Sequence, residues 1–222
     1  PVQPRLVFVG TENGLWISLD EGQTFAQVVN GFPSVSTMDL VIQEREANLV
    51  IGTFGRSIWI LDDLQPLRQA AAGFTKPLTA LPTREAVQVK GIFIAPPGNI
   101  WTGFHTTFEG ENRPFGVAMV PFFVKQPLPG DPTTAMARVY DSQNTLIRTL
   151  TVEGVTEGLN YVRWPLDMET ARLGSYEDDE YKGIPVLPGT YRVRIDYRGA
   201  NDETEVKVIP DPRFPHSQAI EE

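Results

Sequence analysis

Short runs of β-branched and aromatic residues, separated by turn-forming residues, recur along the chain. Arg5-Leu6-Val7-Phe8-Val9, Leu15-Trp16-Ile17-Ser18 and Phe25-Ala26-Gln27-Val28-Val29 come first. Met38-Asp39-Leu40-Val41-Ile42, Leu49-Val50-Ile51-Gly52-Thr53 and Ser57-Ile58-Trp59-Ile60-Leu61 follow. This composition predicts strands. Asn13-Gly14 predicts a hairpin turn, because both residues tolerate positive φ. Asn30-Gly31-Phe32-Pro33 and Glu44-Arg45-Glu46-Ala47-Asn48 interrupt the runs. The near-continuous apolar character of the second group suits strands buried on both faces.

The later pattern is similar. Leu64 to Ala72 predicts one or two helical turns ended by Gly73, and Glu85 to Val89 a short strand. From Phe115 onward the strands are Phe115–Val124, Ala137–Asp141, Thr145–Leu150, Leu159–Trp164, Thr190–Tyr197 and Glu203–Ile209. The last two alternate apolar with polar residues, so each has one buried face. Ser142-Gln143-Asn144 joins two strands, Pro188-Gly189 suits a type II turn with Gly at positive φ, and Trp164 is the expected core anchor. Long helical periodicity is scarce, and the fold class is all-β.

The first group repeats. Val9-Gly10-Thr11 leads through Asn13-Gly14 to Trp16-Ile17-Ser18-Leu19-Asp20, and Ile51-Gly52-Thr53 leads through Gly55-Arg56 to Trp59-Ile60-Leu61-Asp62-Asp63. Gly10 to Gly52 is a step of 42 positions and Trp16 to Trp59 one of 43, so the second turn holds one extra residue. A period of roughly 40–45 residues is that of a β-propeller blade. The expectation is a partial β-propeller (its last blades) over residues 1–63, a connector over 64–114, an Ig-like β-sandwich over 115–211 and a tail over 212–222. Phe93, Trp101, Phe104 and Phe108 give the connector a packing surface. Six strands cannot close a propeller, so those around Leu6–Val9 and Leu49–Thr53 are expected to expose apolar faces that further blades would cover.

Composition narrows the functions. The chain has 222 residues, 41% hydrophobic and 21% charged, with nineteen Gly and nineteen Pro, as many short strands and turns require. Net charge is −9, which repels a phosphate backbone and argues against nucleic acid. No apolar run reaches the roughly 18–20 residues of a membrane span. The absence of cysteine excludes disulfides and thiolate chemistry. His105 and His216 are the two histidines, and nothing in the sequence converges on either. Glu177-Asp178-Asp179-Glu180 lacks the spacing of a calcium loop and reads as a solvated loop tip. No cofactor, metal site or catalytic residue is implied.

Ser18, Asp20, Gly22, Thr24 and Phe25 fit an Asp-box, Ser-x-Asp-x-Gly-x-Thr-Trp, with Phe25 in place of Trp. Its logic is local: Asp20 accepts backbone N–H bonds of the turn, Gly22 takes positive φ, and the aromatic ring covers the base. With Asp39–Ile42, Asn48–Thr53 and Gly55–Asp63, this region resembles the last blades of BNR/Asp-box proteins related to the sortilin (Vps10) propeller. In such families the box is a structural turn away from the ligand face. Receptors of the sortilin type add cysteine-rich modules, which a chain without cysteine cannot supply.

Gly158-Leu159-Asn160-Tyr161-Val162-Arg163-Trp164, followed by Leu187-Pro188-Gly189-Thr190-Tyr191-Arg192-Val193, resembles an FlgD-like Ig domain, with Pro165 where that family has Asp or Asn. Together the two resemblances imply a non-catalytic, extracellular, periplasmic or cell-surface binding or scaffolding module. Its partners would be a protein or glycan ligand, and N-terminal propeller blades on the same or a cleaved chain. The alternatives are part of a propeller glycoside hydrolase with catalytic residues outside this chain, and a purely structural interdomain module. The usual glycosidase needs two carboxylates facing the scissile bond, and the sequence marks no such pair.

Overall fold

The computed structural model describes residues 2–29, 31–88, 116–125, 133–169 and 183–212. Apart from one helix, their regular structure is β-strand, and the protein is all-β. The described residues divide into two compact units, one up to Phe74 and one from Thr75 onward.

The first unit holds two three-stranded antiparallel sheets. One comprises β1 (Val7–Thr11), β2 (Gly14–Ser18) and β3 (Ala26–Gln27). The other comprises β4 (Thr37–Gln43), β5 (Asn48–Thr53) and β6 (Ile58–Leu61). The sequence repeat is also a repeat of register. Val9 pairs with Trp16 as Ile51 pairs with Trp59, and Phe8 pairs with Ile17 as Val50 pairs with Ile60. The extra residue of the second copy is absorbed in its turn. Thr11 Oγ1 donates to the Gly14 carbonyl at 3.0 Å, and Thr53 Oγ1 to the Ser57 carbonyl at 2.6 Å.

The first hairpin turn sits one residue earlier than Asn13-Gly14 predicts. Thr11 pairs with Gly14, so Glu12 and Asn13 form the loop and Gly14 alone, at φ 126°, opens β2. The Asn13 N–H donates to Thr11 Oγ1, and this local bond sets the turn.

Helix α1 (Gln65–Ala72) follows, with Pro66 in its first turn and Gly73 at φ 90° past its end. Leu15, Phe32, Leu49, Ile51 and Leu64 form the buried centre of this unit, flanked by Phe8, Val28, Leu40, Trp59 and Leu61. Trp59 meets Phe32 edge to face at 5.3 Å between centroids.

The second unit starts inside the stretch expected as connector. Its strands are β7 (Leu78–Ala80), β8 (Ala86–Gln88), β9 (Ala118–Val124), β10 (Ala135–Tyr140), β11 (Leu146–Val152) and β12 (Gly158–Trp164). They continue with β13 (Asp167–Met168), β14 (Ile184–Pro185), β15 (Gly189–Tyr197) and β16 (Ala200–Pro210). One sheet runs β11-β10-β15-β16-β8, with β8 parallel to β16; the other runs β12-β9-β7, and β13 pairs with β14. Thus β7 and β8 are edge strands of these sheets. β8 falls within the strand predicted over Glu85–Val89, whereas the short β7 sequence gave little signal, because its pairing partner β9, 40 or more residues away, decides its conformation.

Alternation puts Ala135, Ala137, Val139, Val193 and Ile195 of the larger sheet into one core with Val120, Phe122, Val162 and Trp164 of the smaller. Two sheets sharing one core is the sandwich arrangement. Trp164 is fully buried, lies edge to face with Tyr191 at 5.2 Å, and donates its indole N–H to the Asp167 carbonyl at 2.9 Å. The Tyr191 hydroxyl donates to the Leu187 carbonyl at 2.7 Å. Gly189 does not take the positive φ expected of it: it is already a strand residue, paired with Val208.

Candidate functional site

The stretch Ser18–Phe25 is a self-contained turn. Ser18, 1% exposed, donates through Oγ to Asp20 Oδ1 at 2.7 Å and accepts the N–H groups of Asp20 and Gly22. Asp20 Oδ1 accepts the Thr24 N–H at 2.9 Å, and Oδ2 accepts the Thr24 hydroxyl at 2.6 Å. Glu21 and Gly22 take φ of 65° and 84°, which lets the chain reverse over so few residues. Phe25, 42% exposed, lies over Gly22.

These bonds fix the protonation of Asp20. The Thr24 hydroxyl, then the Thr24 N–H, then the Ser18 hydroxyl stabilise the carboxylate and lower its pKa to about 2. Both oxygens are held by the turn itself. A general acid needs a raised pKa and a free oxygen, and Asp20 has the opposite of the first.

One face of the β4-β5-β6 sheet is apolar and exposed. Val41, Val50 and Ile60 pair across it, with Ile58 beside them, and Val41, Ile58 and Ile60 are 54%, 68% and 59% exposed. The continuous apolar pattern predicts burial on both faces. Among the described residues, the face bearing Leu49 and Ile51 is the covered one, packed in one cluster with Phe8 and Leu15 of the β1-β2-β3 sheet and with Phe32 and Leu64.

In the second unit, buried Asp167 pairs with partly buried Arg148, a contact that the sequence does not announce. Arg148 Nε lies 3.2 Å from Asp167 Oδ1, and Asp167 is 4% exposed. The contact is coulombic, since no hydrogen bond forms between them. Burial pushes the Asp167 carboxyl above its ordinary value, and Arg148 only partly opposes this.

Among the described residues, no group of three or more His, Cys, Asp or Glu could hold a metal ion, and no helix is long and apolar enough to cross a membrane. Phe93, Trp101, Phe104, His105, Phe108, Glu177–Glu180 and His216 lie outside the described residues.

No protein-family model matches the chain, and no curated protein does. A solved structure, dimeric latent PorU from Porphyromonas gingivalis, is similar over 89% of this chain at 13% identity, with a TM-score of 0.34. The chain spans 13% of the PorU chain's length. It is a distant neighbour, and that likeness assigns no function.

Proposed function

We propose that the chain is a non-catalytic scaffolding or binding module of a BNR-type propeller protein, its first unit supplying terminal blades and its second an FlgD-like Ig sandwich. The observation that carries this reading is the packing together of two sheets whose β1-β2 and β5-β6 hairpins, one from each copy of the repeat, share one register. Such stacking is how repeat architectures bury a core that one copy cannot bury alone. The Asp-box reading of Ser18–Phe25 is supported by the commitment of both Asp20 oxygens to the turn. The Ig-like reading is supported by buried Trp164 against Tyr191 and by the Tyr191 hydroxyl bonded four residues upstream, as in a tyrosine corner. The partner is a protein or glycan, with an extracellular, periplasmic or cell-surface location.

The full chain tests this directly. Glycan-array binding and pull-down, beside turnover assays on aryl glycosides and sialosides, should show binding without hydrolysis. Turnover abolished by a point substitution within this chain would overturn the non-catalytic reading.

A further inference from the structure

Several costly features meet at the base of the β13-β14 pair. Leu166 is buried with φ at 57°, a left-handed backbone that a leucine adopts only under constraint. Asp167, the next residue, is 4% exposed, and neither of its oxygens accepts a hydrogen bond. Gly183 faces it so closely that a Cβ there would lie 2.3 Å from Asp167 Oδ2 and 2.5 Å from the Met168 carbonyl oxygen. Arg148 Nε, 3.2 Å from Asp167 Oδ1 on β11, is itself buried without a hydrogen bond. Strain and unmet polar groups concentrated in this way point to an element poised between two states.

The β13-β14 pair is built to lift. Each strand has two residues, and Ile184 is 57% exposed, so little apolar surface holds the pair down. At its foot, buried Leu166 and Val186 are joined by the Val186 N–H donating to the Leu166 carbonyl at 2.8 Å. At its far end, the Glu169 N–H donates to the Ile147 carbonyl of β11 at 2.7 Å. Arg148 of β11 attracts the Asp167 carboxylate and Glu169 repels it, while Ile184 and Pro185 of β14 and Trp164 of β12 bring no charge. An ionised carboxylate needs hydrogen-bond donors, and a neutral carboxyl needs fewer. The closed site supplies none, and water supplies them once the pair lifts.

We infer that β13-β14 is a pH-responsive strap, closed on β11 while Asp167 carries its proton and released more readily once Asp167 is ionised. Release hydrates the carboxylate, relaxes Leu166 at the hinge, and frees the Ile147 carbonyl on β11, the end strand of its sheet. The sign follows from burial, which raises the Asp167 pKa in the closed form. The opening equilibrium is therefore constant below 3.8, rises about tenfold for each pH unit from there to the raised pKa, and is constant above it.

Amide hydrogen exchange on the full chain, divided by the intrinsic rate at each pH, tests this. In wild type, protection of the Glu169 amide should fall about tenfold per pH unit across that window, while the Val186 amide keeps its protection. Asp167→Asn stays neutral and should hold the Glu169 amide protected with no such fall. Arg148→Met removes the attraction and should carry the fall to higher pH. Gly183→Ala pushes the strap off through the added Cβ and should leave the Glu169 amide unprotected at every pH. Cooperative melting of the second unit would confirm that the variants fold, and Asp167→Asn and Gly183→Ala decide the matter without Arg148→Met. One pH profile shared by wild type and Asp167→Asn, or a Gly183→Ala variant protected like wild type, would overturn the inference. So would a Val186 amide that loses protection in step with Glu169, since the whole unit would then be opening.

Discussion

A Cβ placed on Gly10 would lie 2.8 Å from both Cγ2 and the carbonyl oxygen of Thr37. Gly10 is on β1 and Thr37 on β4, so the two sheets come together here more closely than a side chain would allow, and glycine permits it. At the equivalent Gly52, the nearest atom is Asp39 Cβ at 3.6 Å, an ordinary contact within its own sheet.

The two glycines should therefore respond differently. Gly10→Ala should destabilise the first unit by about 1–3 kcal/mol, the range for overpacking against a neighbour that cannot yield. Gly52→Ala should be neutral or stabilising by up to about 1 kcal/mol, since glycine in a strand costs backbone entropy. Chemical denaturation followed by Trp16 and Trp59 fluorescence reads both. Equal losses at the two positions would contradict the stacking.

Trp164 anchors the second unit by packing and by one hydrogen bond. Trp164→Ala should cost about 3–5 kcal/mol, as expected for a large aromatic removed from a closed core. Differential scanning calorimetry should show the second unit's transition fall or vanish while the first is retained. A shift confined to the first transition would contradict the separate cores.

The Arg148–Asp167 pair should obey the arithmetic of buried charge. Arg148→Met alone should destabilise by about 3–5 kcal/mol, because it strands a buried carboxylate. Adding Asp167→Leu should recover much of that loss, since apolar side chains of similar volume replace such pairs at little cost. A double variant as unstable as the single would show that the pair contributes more than its desolvation removes.

Acid should move the two units in opposite directions through these carboxylates. Asp20 is lowered from 3.8 to about 2 in the folded protein, so its contribution is present above 3.8 and is lost as pH falls toward 2. Asp167 is raised, so the folded state takes up its proton before the unfolded state does. Its contribution grows as pH falls through the folded pKa toward 3.8 and is constant above that pKa. Melting of wild type against Asp20→Asn and Asp167→Asn across the acid range isolates each term. Asp20→Asn should flatten the acid loss in the first unit, and Asp167→Asn should remove the acid gain in the second. The reverse signs would contradict the assigned environments.

Much of the fold was legible because period and alternation are local signals. The β15 strand alternates Tyr191, Val193, Ile195 and Tyr197 inward, as its sequence predicts. The Trp16 and Trp59 copies keep one register despite the residue inserted between Thr53 and Ser57. Turns were less legible, because side-chain bonds competed with propensity: Thr11 moved the first hairpin, and strand pairing with Val208 claimed Gly189. The turn at Ser18–Phe25 was readable because its bonds span four residues. Arg148 and Asp167 were not, because nothing local marks a charge that tertiary packing will bury. The open face of β4-β5-β6 was half legible: its strands read as covered twice, while the count of strands called for an uncovered side.

The most direct test of the stacked repeat is a nuclear Overhauser measurement on selectively labelled protein. The α-protons of Gly10 should show a strong contact to the Thr37 methyl, and those of Gly52 should show contacts only within β4-β5-β6 in the monomer. Absence of the Gly10–Thr37 contact would contradict the account.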